Sequence, residues 1–401
     1  MTNTSEAQPV ILLSPPHEEN KLTAFKSLTR KLSNLSLRSS PSCPKTPPIL
    51  PESNLLIPPS DEALIVNPNV TTTPILSNNS SLYLPPSPSV SACSTPTLER
   101  AQPSIILQDK YKDHKKGKVI GSGATAKLRL LEPLDHTKKT VVVVKTFRKR
   151  DQKDESKKSY DKRMASEFCI SKTLGHQHVI QVFDLLKDKK GRWCTVMEYC
   201  AGGDVFSVLQ QFALTDAEID CLFKQLLLGL QHIHHSGVAH RDIKPENLVM
   251  TTDGILKIAD FGVADVVQSC FDTEASLSYG RCGSEPYWSP ELCQSLDTYD
   301  AKALDIWSCA VTWHCLIYRQ IPFLKAWPQD PQYVTFVNQA PLRTWIPLSK
   351  CNDDEKNCLY GMFDPNPSSR WTIDQCVQSQ WIQSIQICYE SFDRHKHHFI
   401  L

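Results

Sequence analysis

Not one of the 14 glycines of this 401-residue chain lies in its first 108 residues, which hold 17 of its 28 prolines. That break limits what can fold. The same stretch carries 18 serines and keeps its apolar residues in short pieces between prolines. Such a segment cannot bury enough surface to offset the ordering of its backbone, so residues 1–108 read as a disordered Ser/Pro-rich arm. From about Tyr111 the character changes. Strand-like runs (KVIGSG, LRLLEPL, TVVVVKTF) come first, and helical patterns such as Ala217 to His235 and Ala303 to Tyr318 dominate later. They predict an α+β architecture in which a small β-rich lobe joins a larger α-rich one.

Composition excludes several classes. Forty-four basic against 43 acidic residues give a formal net charge of +1, which argues against a nucleic-acid binder. The 15 cysteines are scattered and form no C-x-x-C. They rule out a small disulfide scaffold, offer no zinc-ligand spacing and point to reduced thiols. The N-terminus has no basic region before its short apolar run, so it is a poor signal peptide. No window reaches the roughly 18 to 20 apolar residues of a membrane-spanning helix. The densest, Ala303 to Tyr318, is interrupted by Asp305, Ser308, Thr312 and His314. The expected setting is cytoplasmic.

Chemistry-bearing residues then follow in order. Gly121-Ser122-Gly123-Ala124-Thr125-Ala126 extends a strand-like run and continues through Lys127 and Leu128. A run of four valines ends in Lys145, and Glu167 lies in ASEFCI, whose apolar neighbours turn it inward. His240-Arg241-Asp242-Ile243-Lys244-Pro245-Glu246-Asn247 comes next, Asp260-Phe261-Gly262 begins thirteen residues after Asn247, and Ser289-Pro290-Glu291 closes the series. Six elements in this order resemble the eukaryotic protein kinase signature set. The resemblance implies a bilobal protein kinase fold over residues 109–385, after the arm and before a short tail, 386–401. It also implies ATP and Mg²⁺ as cofactors and proteins as substrates.

Phosphoryl transfer asks a protein for positioning and for neutralisation of phosphate charge. A glycine loop between two strands lets backbone N–H groups approach phosphates with no Cβ in the way. By the resemblance, Ile120 and Leu128 cover the adenine, and Lys145, fixed by Glu167, meets the α- and β-phosphates. The resemblance makes Asp242 the expected base that accepts the substrate hydroxyl proton and would place Lys244 near the γ-phosphate. Asn247 and Asp260 supply oxygens to two Mg²⁺ ions. Thr195 to Asp204 reads as the hinge. There Met197 guards the back of the pocket, the backbones of Glu198 and Cys200 bond the adenine edge, and Asp204 faces the ribose. Cys282 to Trp288 resembles the segment that receives the substrate, Asp305 anchors the large lobe, and Arg370 pairs with Glu291. Lys244 and Gly283-Ser284 match serine/threonine rather than tyrosine kinases.

Two positions depart from the pattern: Ala126 replaces the third glycine and Val143 the usual alanine, which implies altered ATP affinity or inhibitor selectivity. Lys145, Glu167, Asp242, Asn247 and Asp260 are all present, which weighs against an inactive kinase-fold adaptor. The wording GSGATAKLRL, CGSEPYWSPEL and HKHHFIL is similar to the fungal kinases of the halotolerance and nitrogen-permease-reactivator group. That likeness implies regulation of plasma-membrane nutrient or potassium transporters and peripheral association with membrane or transporter. A stress- or energy-responsive kinase with other substrates is the alternative.

Regulatory expectations follow. Asp204 and Glu246 occupy positions that, in basic-directed kinases, face residues upstream of the acceptor, which implies arginine about three residues before it. Cys315 stands where some such kinases carry a third carboxylate, and Val263 leans acceptor choice toward threonine. Ser276 and Ser278 are the expected phosphosites of the activation segment, pairing with Arg241, with activity independent of loop phosphorylation as the alternative. Six Ser-Pro or Thr-Pro dipeptides in the arm offer acceptors to upstream kinases. Residues 21–40 hold five basic residues, no acid and apolar residues at helical spacing, which fits a partner or an anionic membrane. The His232, His234, His235 cluster and the His395, His397, His398 cluster read as solvated or packed, since neither has matched acidic or thiolate partners.

Overall fold

A computed structural model describes residues 105–123, 125–135, 137, 140–150, 155–269, 272–294, 298–390 and 397–399. The arm through residue 104, the stretch 21–40, loop residue Ala124 and part of the 386–401 tail lie outside the described residues.

Five strands form the small lobe: β1 (His114–Ser122), β2 (Ala126–Pro133), β3 (Val142–Phe147), β4 (Val182–Lys187) and β5 (Trp193–Glu198). They make one antiparallel sheet in the order β1-β2-β3-β5-β4. The β-branched valines of β3 suit a central strand, stiff at χ1 and filling both faces. A short helix, α1 (Leu107–Lys110), lays Leu107 against Leu131, Val142, Val144 and Val196. The longer α2 (Lys157–Thr173) starts at Ser156, whose side chain accepts from Ser159 N–H. Its Tyr160 and Met164 pack on Ala126 and Phe147, which brings Glu167 under the sheet toward β3.

The large lobe is helical. It contains α3 (Val205–Gln211), α4 (Asp216–His235), α5 (Pro290–Cys293), α6 (Ala301–Tyr318), α7 (Pro331–Gln339), α8 (Asp353–Met362), α9 (Ile373–Gln378) and α10 (Gln380–Ser384). Helix α4 begins with a reciprocal capping box between Thr215 and Glu218, then buries Leu222, Phe223, Leu226, Leu230 and Ile233 along one stripe. Helix α6 is buried from Ala303 through Leu316, so it runs through the core rather than along its surface. Aromatic rings close the core around Trp307, with Phe323, Phe336 and Phe363 fully buried. A short sheet of β6 (Gly203–Asp204), β8 (Leu248–Met250) and β9 (Leu256–Ile258) packs on these helices. Two further pairs, β7 (Val238–Ala239) with β10 (Asp265–Val266) and β11 (Ser278–Tyr279) with β12 (Thr298–Tyr299), frame the connecting segments. This is the bilobal architecture expected. Among the described residues no helix is long and apolar enough to cross a membrane.

Candidate active site

Lys145 sits in β3 opposite Leu128 of β2. Its Nζ donates to Glu167 Oε1 at 2.8 Å and to Asp260 Oδ1 at 2.6 Å. Burial works against the Lys145 charge, but the Asp260 and Glu167 carboxylates outweigh it and tighten its hold on the proton. Burial also opposes the Asp260 charge, yet the Lys145 ammonium holds that carboxyl down to about 2. Half of the Asp260 side-chain surface remains accessible, so the ammonium governs. Asp260 adopts φ 66°, a left-handed conformation costly outside glycine and held here by its surroundings.

A second cluster forms around Asp242. Lys244 Nζ donates to Asp242 Oδ2 at 2.7 Å and to Ser284 Oγ at 2.6 Å. Asn247 Nδ2 donates to Asp242 Oδ2 at 3.0 Å and to the Asp242 carbonyl at 2.8 Å. Burial opposes the Lys244 charge; the Asp242 and Glu246 carboxylates restore it. Asp242 Oδ1 is enclosed and has no hydrogen-bond partner among the described residues. Leaving a buried acceptor unmade costs roughly 1–3 kcal/mol, so a donor arriving there is favoured.

The loop carrying these groups is fixed from α6. Asp305, fully buried, accepts from His240 N–H and Arg241 N–H at 2.7 Å each and from His234 Nε2 at 2.9 Å. These bonds hold Arg241 at φ 65°. Gly283 closes over the loop at φ 77°, and a Cβ there would lie 2.3 Å from the Arg241 carbonyl oxygen. No other residue fits. The Arg370 guanidinium grips Glu291 through two bonds of 2.8 and 2.9 Å, buried beneath α5.

In the glycine loop, Gly121 and Ser122 pair with Leu128 and Lys127 across the β1–β2 turn, and Ile120 stands exposed beside it. Gly123 N–H bonds the Ala126 carbonyl at 2.9 Å, and Arg148 N–H bonds that of Thr125 at 2.8 Å. The Ala126 methyl packs with Phe147 and Met164, which accounts for a loop that dispenses with its third glycine. Val143 faces Met197 across β3 and β5. The Glu198 carboxylate accepts from Gln181 N–H and Lys257 Nζ, tying the hinge to β9. Burial pushes the Cys200 thiol up to about 12, so it stays protonated. Asp204 caps α3, accepting from Ser207 N–H and Ser207 Oγ at 2.8 Å each. These groups fit MgATP. Asn247 turns its amide nitrogen to Asp242 and so its oxygen away, while Asp260 offers an accessible carboxylate. Both are the oxygen donors a hard cation takes.

Sequence reasoning missed the partners of Arg241. Its Nε donates to the Val263 carbonyl at 2.6 Å, and its Nη1 lies 3.5 Å from Asp265 and 3.3 Å from the Tyr299 hydroxyl. Ser278, buried in β11, donates to the same Asp265 at 2.7 Å. Asp265 thus stands between Ser278 and Arg241.

Residues 114–382 match the protein kinase domain family. The chain is 37% identical over 281 residues to the serine/threonine-protein kinase hal4 of Schizosaccharomyces pombe, covering 67% of this chain and 43% of that one. It is 36% identical over 285 residues to the serine/threonine-protein kinase HAL4/SAT4 of Saccharomyces cerevisiae, covering 68% and 46%. It is 29% identical over 317 residues to the nitrogen permease reactivator protein of Saccharomyces cerevisiae, covering 69% and 39%. The chain thus spans less than half the length of these relatives. The matched residues take in both clusters and the sheet and helices that hold them, and the relatives are fungal kinases of the group its wording resembles: the chain belongs to the protein kinase domain family.

Proposed function

We propose that this chain is an active serine/threonine kinase that transfers the γ-phosphate of ATP to protein hydroxyls. The observation that carries the reading is the enclosed, unpartnered Oδ1 of Asp242, whose companion oxygen is held by Lys244 and Asn247. The substrate hydroxyl donates to the Asp242 carboxylate, which takes its proton as the alcohol oxygen attacks the γ-phosphorus and the bond to the β,γ-bridging oxygen breaks, with ADP as the leaving group. Lys244 offsets the charge on the transferring phosphoryl. Lys145, braced by Glu167, positions the α- and β-phosphates, and Asn247 and Asp260 would hold the metal. Mg²⁺, when bound, neutralises phosphate charge. A general base contributes about 10²- to 10⁴-fold. MgATP-dependent phosphate transfer to a basic protein tests the reading. Retention of more than about a tenth of the rate in Asp242→Asn would sink it.

The physiological targets we infer are plasma-membrane transporters, with an effect on cation homeostasis. The support is likeness to a protein named for reactivating a nitrogen permease. Phosphoproteomics after acute inhibition of a Met197→Gly form decides this: unchanged transporter phosphorylation counts against it. Upstream arginine in the substrate is supported by Glu246. Burial raises its carboxyl, with the Asp242 and Asp204 charges adding to the rise, and its Oε2 is enclosed without a partner. A guanidinium would relieve both costs. Equal rates for peptides with arginine and with alanine at that position would refute it.

A further inference from the structure

Apart from both clusters above, the fold gathers Cys221 of α4, Cys388 and His397. All three are buried, and the two sulfurs and a ring nitrogen lie within 4.8 Å of one another. Cys221 Sγ is 3.6 Å from His397 Nε2. Ligands at ~2.3 Å (Zn–S) and ~2.0–2.1 Å (Zn–N), subtending a tetrahedral angle, stand ~3.5 Å apart. We propose that Cys221, Cys388 and His397 form a structural zinc site that fastens the C-terminal residues to α4.

The surroundings are those of a metal site. His397 turns Nε2 to the sulfur and Nδ1 toward Glu218, whose Oε1 is 4.0 Å away. At that distance the carboxylate acts on the ring through its charge rather than through a hydrogen bond. Glu218 is itself held by Thr215 and by His398 N–H. The Cys221 sulfur accepts from Gln225 Nε2 at 3.2 Å and from Cys388 N–H at 3.4 Å. Gly254 makes room for the ring: at φ 82°, a Cβ there would lie 2.7 Å from His397 Cδ2 and 3.2 Å from Cys388 Sγ. Its carbonyl oxygen, 3.5 Å from Cys388 Sγ, or one enclosed water completes the tetrahedron. Two thiolates with an imidazole select zinc over magnesium or calcium. Binding takes up Zn²⁺ and releases to solvent whatever protons the two thiols still carry, with no electron transferred.

Elemental analysis of the purified full chain and cobalt titration of the zinc-stripped chain test the site. Stoichiometric zinc is expected. Cobalt should give an intense thiolate-to-metal charge-transfer band, weakened in Cys388→Ser and abolished in the Cys221→Ser, Cys388→Ser double variant. His397→Gln should keep the band but need more cobalt to reach it. Wild-type chain with neither zinc nor a charge-transfer band overturns the proposal. So does an intact mass lower by two hydrogens and restored by reductant, which would make the pair a disulfide. None of these readouts involves phosphate transfer, so failure here leaves the kinase reading standing.

Discussion

The two carboxylate oxygens of Asp242 stand in unlike surroundings, one bonded by Lys244 and Asn247 and the other enclosed and bare. Asparagine keeps the shape and loses the base. Asp242→Asn should therefore lower kcat by at least about 10²-fold. Its melting temperature should barely move, because the loop hangs on bonds from Asp305 to the His240 and Arg241 N–H groups. Steady-state rates beside a thermal melt check both halves. Lys145→Met should behave differently. It strands the Glu167 carboxylate, buried 2.8 Å from the lost ammonium, and breaking a buried pair costs about 3–5 kcal/mol. Loss of phosphate transfer with a clear drop in melting temperature is the expected pair of results; an unchanged melt would place Glu167 in contact with water.

The segment from Asp260 to Glu291 sets the element scale. Strand β11 pairs with β12, and Arg241 already meets Asp265, the Val263 carbonyl and Tyr299. A resident carboxylate thus occupies the place where a phosphate would give a cation its partner. Ser276→Ala with Ser278→Ala should leave the rate unchanged, and mass spectrometry should find no phosphate at either serine in active wild-type chain. Inactive double-variant protein would restore the phosphosite reading. The motif residues were legible because their chemistry forces contiguous wording, as in HRDIKPEN, and the strand and helix patterns because burial imposes periods of two and 3.6. The Arg241–Asp265 contact was not, since no spacing rule links residues across a loop. The Asp204 cap left a signal, an aspartate before the apolar run VFSVL, that a functional reading of the same carboxylate obscured. His397 looked like a packed or solvated histidine because its cysteine partners come from α4 and from beyond α10, and only the fold brings them together.

At the scale of the whole molecule, burial keeps two histidines, His178 and His314, neutral. Burial holds His178 and His314 down to about 4, while each ring's Nδ1 bonds a carbonyl, of Leu256 and of Gln320. In the unfolded chain both return to about 6.5. Between those values the unfolded chain binds protons that the folded one refuses, so stability is full above about pH 6.5 and falls as pH drops toward 4. At ~1.4 kcal/mol per unit of separation, His314 alone accounts for up to ~3 kcal/mol by pH 4. Asp220 runs the other way: burial raises its carboxyl to about 6, so the folded chain takes its proton first and gains stability as pH falls. Glu167 and Glu246 are raised in the same sense as Asp220, and burial lowers His176 and His232 as it does His178 and His314, so four histidines stand against three carboxylates and leave a net loss. The melting temperature should therefore decline steadily from pH 7 to pH 5. His314→Gln keeps a donor for the Gln320 carbonyl but cannot titrate, so it should flatten that decline while lowering stability at pH 7 through poorer packing against Tyr318 and Trp345. A His314→Gln chain whose melting temperature falls with the wild-type slope would assign the acid sensitivity to other groups.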